Sequence, residues 1–435
     1  MKPCIVPPTQ ATLKATGRML KVFPILLGIL LGARLAPAQQ TPDSADQDKQ
    51  TIRMLLQRVE QLETRVAQLE AARQGPPALA LTQVAQQTSA PADSETEAQA
   101  EQPSEPERMD LSKTLLRMRG FGDITLHGDK HRGDTTSFGL GQLNLFVTSD
   151  VSEKFKFLSE IVFEAGSDNA VGVDVERMLL QYSPSDYFNL AVGRYHTAIG
   201  YYNTAYHHST WFQTTTGRPF LFEFEDKGGP LPVHNVGVSA SGLIPSGRLG
   251  LHYVAEVGNG RASRSPDSEP VQNLVDENNH KAFNFAFFAR PESIRGLQAG
   301  FSVYRDVLTP ANQPRIGETI LAAHAVIVRP KFEWLNEALV IRHAPFGSAH
   351  VFETPGFYTQ LSKQFGSYRP YFRYQYMNES DAEPVFPNIG LRHGPSVGLR
   401  YDASESVAVK LQYDYTRLRR QEAINGLSLQ VGFTF

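Results

Sequence analysis

The side chains best suited to chemistry crowd into one stretch of this chain, residues 197–233. The carboxylates Glu223, Glu225 and Asp226 lie there, His207 and His208 stand adjacent within it, and His196 and His234 bracket it. Imidazoles and carboxylates build metal sites and acid–base catalysts. Neighbouring side chains on an extended segment point opposite ways, however, and these carboxylates follow no ligand spacing. The only cysteine is Cys4, near the N-terminus. The histidines are therefore expected to be hydrogen-bonded loop residues, with no metal and no cofactor. The chain has no Gly-x-Ser-x-Gly elbow, Walker loop, His-Glu-x-x-His or cysteine pair. A hydrolase whose Ser, His and acid come from separate strands is the remote alternative, because geometry rather than motif defines such a site. What three clustered carboxylates offer instead is a local negative field. The bland alternative is that they solvate a loop tip.

Cations that could oppose this field are found by parity. On an extended strand, if Leu411 and Tyr413 face apolar surroundings, Lys410 must face the other way. The same reasoning points Arg400 and Arg373 inward on the two preceding strands. Glu160 and Glu164, in phase with Lys156, are expected on that inner face too. A basic stripe opposite an acidic loop would set up a transverse field that orients polar solutes. Mutual neutralisation that stiffens the wall is the competing reading. If the outer surroundings are lipid, an outward charge near the midplane costs about 2–4 kcal/mol, which favours the inward assignment.

Such parity requires strands, and from residue 119 to 435 the texture is short alternating stretches separated by turn residues. In the last segment, Leu427, Leu429, Val431, Phe433 and Phe435 alternate with Ser428, Gln430, Gly432 and Thr434. Turn signals divide the region into about sixteen strands, the even number that a bacterial single-chain membrane barrel requires. Among them are 119–128, 187–196, 234–243, 247–258, 405–417 and 426–435. The connections sort by parity: 150–153, 183–186, 244–246, 291–295, 366–367 and 403–404 are short, whereas 197–233, 259–279 and 379–389 are long. Short turns on one side and long loops on the other match a barrel crossing a membrane. Beyond the N-terminus no run of about eighteen apolar residues could span a bilayer as a helix, which leaves a closed barrel as the way to cross. So aromatic a loop as 197–233, with Tyr201, Tyr206, Trp211 and Phe212, is expected to pack inside the wall rather than hang in water.

Residues 1–38 read as an export signal, with Lys14, Arg18 and Lys21 before an apolar run and Ala36-Pro37-Ala38 as the cleavage site. Translation is expected to begin at Met19, since the residues after it make a compact signal. An uncleaved anchor is the alternative. In residues 49–74, Ile52, Leu55, Val59, Leu62, Val66 and Leu69 follow a coiled-coil spacing. Residues 75–108, rich in Pro, Ala, Ser, Thr and Gln, should be a disordered linker. The sequence has 42 Lys and Arg against 45 Asp and Glu, net charge −3, which argues against a nucleic-acid partner.

The coiled-coil segment contains Arg58-Val59-Glu60-Gln61-Leu62-Glu63 and Arg65-Val66-Ala67-Gln68-Leu69-Glu70. Both resemble the Arg-apolar-x-x-apolar-Glu pattern of short trimeric coiled coils, in which Arg58 and Arg65 would cover the seam and pair with Glu63 and Glu70 on a neighbour. A trimer is expected, against the dimer that Ile and Val at a with Leu at d would favour. A lone amphipathic helix is the further alternative. The terminal Phe435 resembles the C-terminal signal by which the barrel-assembly machinery recognises outer-membrane proteins. Leu190-Ala191-Val192-Gly193-Arg194-Tyr195-His196-Thr197-Ala198-Ile199-Gly200 resembles the strand-five segment of phosphate-selective O/P-type porins, where a Gly-x-aromatic stretch leads into an inward-folding third loop. The chain departs from that group in its balanced charge, so phosphate selectivity is not carried over.

The sequence thus leads to an all-β transmembrane antiparallel barrel preceded by a coiled-coil helix and a linker. Its expected place is the bacterial outer membrane, with the N-terminal region in the periplasm. The expected function is passive diffusion of small hydrophilic solutes or ions through a homotrimer, joined through coiled coil and barrel. The alternatives are a non-conducting barrel serving as envelope tether or adhesin, and the remote hydrolase.

Overall fold

The structure, a computed structural model, describes residues 116–129, 136–166, 169–206, 210–262, 274–386 and 389–435. The signal, the coiled coil with Arg58, Glu63, Arg65 and Glu70, the linker, and His207 and His208 lie outside the described residues.

The alternating segments form β1 (Leu116–Asp129), β2 (Ser137–Asp150), β3 (Phe155–Ala165), β4 (Val171–Ser185), β5 (Phe188–His196), β6 (His234–Ile244), β7 (Leu251–Gly258) and β8 (Ala282–Ala289). They continue as β9 (Leu297–Leu308), β10 (Ile316–Arg329), β11 (Phe332–Pro345), β12 (Phe352–Lys363), β13 (Tyr368–Asn378), β14 (Leu391–Asp402), β15 (Val407–Leu418) and β16 (Ile424–Thr434). Each pairs antiparallel with its sequence neighbours, and β1 pairs with β16, closing the barrel of sixteen strands that the turn signals predict. Closure runs to the last residue: Gly120 N donates to Phe435 O at 2.9 Å, and Phe435 N to Gly120 O at 3.0 Å. With no free edge, every strand backbone finds partners without water.

Strand starts differ from the expected ones where turn chemistry intervenes. β7 begins at Leu251 rather than 247 because Gly247–Leu249 form a 3-10 turn, ended by Gly250 at φ 57°. β1 begins at Leu116, three residues ahead of the expected 119.

Side chains alternate across the wall as period two demands. On the outside, Phe283, Phe301, Leu361, Phe372, Val397, Leu411 and Tyr413 are exposed apolar groups. Inward-facing positions are not uniformly polar. On β10 to β13 the inner face carries Ile320, Ala322, Val326, Leu335, Leu339, Ile341, Tyr358 and Met377, which form one buried cluster with loop residues Tyr202, Tyr206, Leu221 and Phe222. Among the described residues no helix is long and apolar enough to cross a membrane.

Candidate functional site

Loop 197–233 is drawn into the barrel. Its neck is fixed where His196 pairs with His234 and Thr197 N donates to Val233 O at 2.9 Å. Gly200, at φ 71°, then turns the chain into the single helical turn α1 (Tyr202–Ala205). The amides of Tyr201 and Tyr202 donate to the Glu337 carboxylate of β11, at 2.5 and 2.9 Å. A carboxylate from the opposite wall thereby satisfies donors that the first turn leaves without partners. Tyr358 donates to the same carboxylate at 2.7 Å, and Tyr206 donates to Glu333 at 2.7 Å.

Beyond that turn the chain runs along β13 to β16 and back. Arg373 donates to Gly217 O at 2.8 Å, Arg400 to Trp211 O and Gln213 O at 2.7 and 2.9 Å, and Lys410 to Thr210 O and Thr215 O at 2.5 and 3.0 Å. Register explains the convergence: Arg400 opposes Lys410 on β15, and Lys410 opposes Gln430 on β16, so their side chains share one row on the inner face. Gln430 and Gln412 add bonds to Thr216. Trp211 and Phe212 close this side against Phe121 of β1, with ring centroids 6.2 and 4.9 Å apart.

The three cations selected by parity thus face inward, but they meet loop carbonyl oxygens rather than an acidic surface across a gap. Lys410 is fully buried. The acids are divided: Glu223 has Arg373 within electrostatic range, and Glu225 is engaged by a histidine. Glu225 accepts from His234 N at 2.8 Å and pairs with the His234 ring at 3.2 Å; that ring also reaches Glu176, which pairs with Arg194. Glu223 is half-buried, and the side chain of Asp226 is not among those described. Glu160 is buried and pairs with Arg177 at 2.8 Å, whereas Glu164 accepts from Gln142 at 2.6 Å and lies 3.5 Å from Lys227 of the loop. Of the expected acidic tip, Glu225 is thus engaged with His234 rather than with the basic stripe, whereas Glu223 has Arg373 within electrostatic range. The loop lies against the wall, and a long cation reaching a tightly apposed loop finds its backbone first. Among the described residues there is no group of three side chains able to hold a metal.

A second loop, 379–390, also folds inward. Glu383 binds His343 of β11 and accepts from Val385 N at 2.8 Å; His343 continues to Glu318 of β10 at 2.9 Å, which pairs with Arg261. Phe386 and Val385 bury against Leu308 and Ile316.

Sequence reasoning did not find the site left between loop 197–233 and the strands it does not cover. There a cavity of about 530 Å³ is bounded by Tyr201 and Thr204 of the loop and by His252, Phe288, Arg290 and His324 of the β7 to β10 wall. These wall residues are distant in sequence and each sits on a different strand or turn, so only barrel closure collects them.

No family model and no curated protein matches the chain. Solved structures do. The chain is similar to an anion-selective porin from Comamonas acidovorans, at 12% identity over 74% of this chain and 100% of that one, with TM-score 0.54. It is similar to OmpT of Vibrio cholerae in its trimer form, an outer membrane protein, at 8% identity over 74% and 99%, with TM-score 0.51. The outer membrane channel DcaP of Acinetobacter baumannii matches at 12% identity over 75% and 98%, with TM-score 0.50. At such low identity the likeness is one of fold, the closed sixteen-strand antiparallel barrel.

Proposed function

We propose that this chain is a porin-like channel of the bacterial outer membrane that passes small hydrophilic solutes or ions. The observation that carries the reading is the combination of an apolar outer wall with loop 197–233 held against one side of the interior, leaving the cavity of about 530 Å³ beside β6 to β10. In this reading the loop is the constriction. Lys410, Arg400 and Arg373 act by anchoring it, Tyr201, Tyr206, Trp211 and Phe212 pack it, and Glu160, Glu164, Glu223, Glu225 and Asp226 supply acidic charge to the interior. The names of the similar structures, an anion-selective porin and an outer membrane channel, support a channel.

The unequal connections favour short turns and the N-terminal region in the periplasm and long loops outside. Phe435 is the assembly signal in this reading: it directly follows β16, with its backbone paired to Gly120 and the residue 68% exposed. A homotrimer held by residues 49–74 and by the barrel wall is favoured by the repeated Arg and Glu pattern, and OmpT supplies a trimeric example of the fold.

A non-conducting barrel acting as a tether is the second reading, favoured by the two inward loops and their buried apolar contacts. Single-channel recording of the mature protein under a salt gradient separates them. Conductance in triplet steps supports the trimeric channel, and the reversal potential gives its ion preference. Silence from folded protein overturns the channel in favour of the tether.

A further inference from the structure

We infer that the cavity beside β7 to β10 is a binding site for a planar aromatic carboxylate. The inference rests on the channel reading only in placing the cavity where a solute can enter.

The argument begins with one amide. Gln298 accepts from Arg290 Nε through Oε1 at 2.9 Å, which fixes its Nε2 as the atom 3.1 Å from His324 Nε2. An amide nitrogen only donates, so His324 Nε2 must accept. The proton of the neutral ring then lies on Nδ1, which is buried and has no hydrogen-bond partner. His324 itself is 7% exposed. A buried donor without a partner is costly, and such donors in native proteins are commonly met by water or ligand.

The second donor set is Arg290. Gln298 and the face of Phe288, 5.0 Å from the guanidinium carbon, orient its plane, and its Nη groups make no hydrogen bond within the described residues. A guanidinium oriented in this way presents the fork that matches a carboxylate. The lining contains one carboxylate, Asp186, which is exposed on the turn between β4 and β5. Glu337 and Glu333 nearby are already bonded to loop amides and tyrosine hydroxyls.

The remaining wall is flat. His252 lies parallel to Phe288, with centroids 4.9 Å apart and planes at 10°, and Tyr201 stands 6.1 Å from His324. Aromatic faces select a π-system by offset or edge contact. The volume of about 530 Å³ is that of a small-ligand site. An oriented guanidinium, an imidazole donor without a partner and aromatic faces in one lining ask for one carboxylate on one ring.

The test is calorimetric titration of benzoate into the purified full-length protein, folded in detergent, with cyclohexanecarboxylate, benzyl alcohol and inorganic phosphate as comparisons. The expected result is saturable binding, one benzoate per barrel, tighter than the other three. Arg290→Met should weaken benzoate by about tenfold or more, the scale of a lost charged hydrogen bond. Phe288→Leu should erase the preference for benzoate over cyclohexanecarboxylate while both still bind. Each variant is scored only after it shows the heat-modifiable migration of the folded barrel. No saturable binding, phosphate binding as tight as benzoate, or an unchanged Arg290→Met variant would each overturn the inference. Binding is read at equilibrium without current, so silence in a bilayer bears on the channel reading alone.

Discussion

The Lys410 ammonium of β15 lies 3.0 Å from the carbonyl oxygen of Thr215, a bond spanning 195 residues of sequence. It also serves Thr210 O and Gln430 Oε1, so this amine is the point where loop 197–233 is fastened to the far wall. A buried ammonium without such partners would be expelled or neutralised. Lys410→Met removes the donor and leaves Thr215 O and Gln430 Oε1 without a partner, while Thr210 O keeps the amide of Gln213, a cost of about 1–3 kcal/mol. Segment 210–217 should then detach intermittently. The expected record is a noisier current of larger mean conductance. A quiet, unaltered current would show that the anchor is dispensable.

Gly200 and Glu337 make a second fastening, at the start of the loop. A Cβ on Gly200 would stand 2.3 Å from Glu337 Oε2, and φ there is 71°. Gly200→Val therefore meets both a steric overlap and a backbone conformation that β-branched residues avoid. The carboxylate would be pushed away from the amides of Tyr201 and Tyr202. The mutant should expose 197–233 to protease at concentrations that leave the wild-type loop intact, while the strands remain resistant. Equal resistance in both proteins would remove Glu337 as the loop's cap.

Leu221 fits against Gly356 of β12 so closely that a Cβ there would come within 2.2 Å of its Cδ2. Leu221 is fully buried. Leu221→Ala should lower unfolding free energy by about 2–5 kcal/mol through cavity formation, measured by urea titration of the folded barrel. A change within error would mean that the loop closes the gap.

These contacts mark what was legible in the sequence. The strands were, because period two survives any partner: Leu411 and Tyr413 are exposed outward while Lys410 and Gln412, in the opposite phase, are buried. Arg373 and Arg400, placed by the same parity, reach loop carbonyls. Parity is silent about what lies inside. Ile320 and Leu335 face the interior because the loop covers them, yet β10 reads as apolar on both faces and period alone cannot say which face is covered by protein. The acidic surface expected opposite the cations needed a gap between loop and strands; backbone packed directly on β13 to β15 supplies carbonyls to them instead. Glu333 and Glu337 escaped notice because an inward acid on a strand looks the same whether it meets water or a loop amide. Arg290, His252 and His324 carry no spacing signal, since three separate elements bring them together.

The inward loop 379–390 should loosen as pH rises. Burial, reinforced by the charge of Glu383, pushes the Glu379 carboxyl from an ordinary 4.5 up to about 9, with Arg392 opposing the shift. A carboxyl raised in the folded state favours the proton there, so folding is unpenalised below about 4.5 and the penalty grows up to about 9. The Glu383 carboxyl is held below its ordinary value: burial alone would raise it, but His343 and the amides of Phe386 and Val385 outweigh that. Its contribution is lost only as pH falls beneath the ordinary carboxylate range, so Glu383 adds nothing to a loosening between pH 5 and 9, the interval in which the Glu379 carboxyl loses its proton. Amide exchange in 380–386 should therefore quicken across that interval, beyond the intrinsic rise with hydroxide. Glu379→Gln keeps the shape without the charge and should flatten the excess. An excess that persists in Glu379→Gln would assign the dependence to another group.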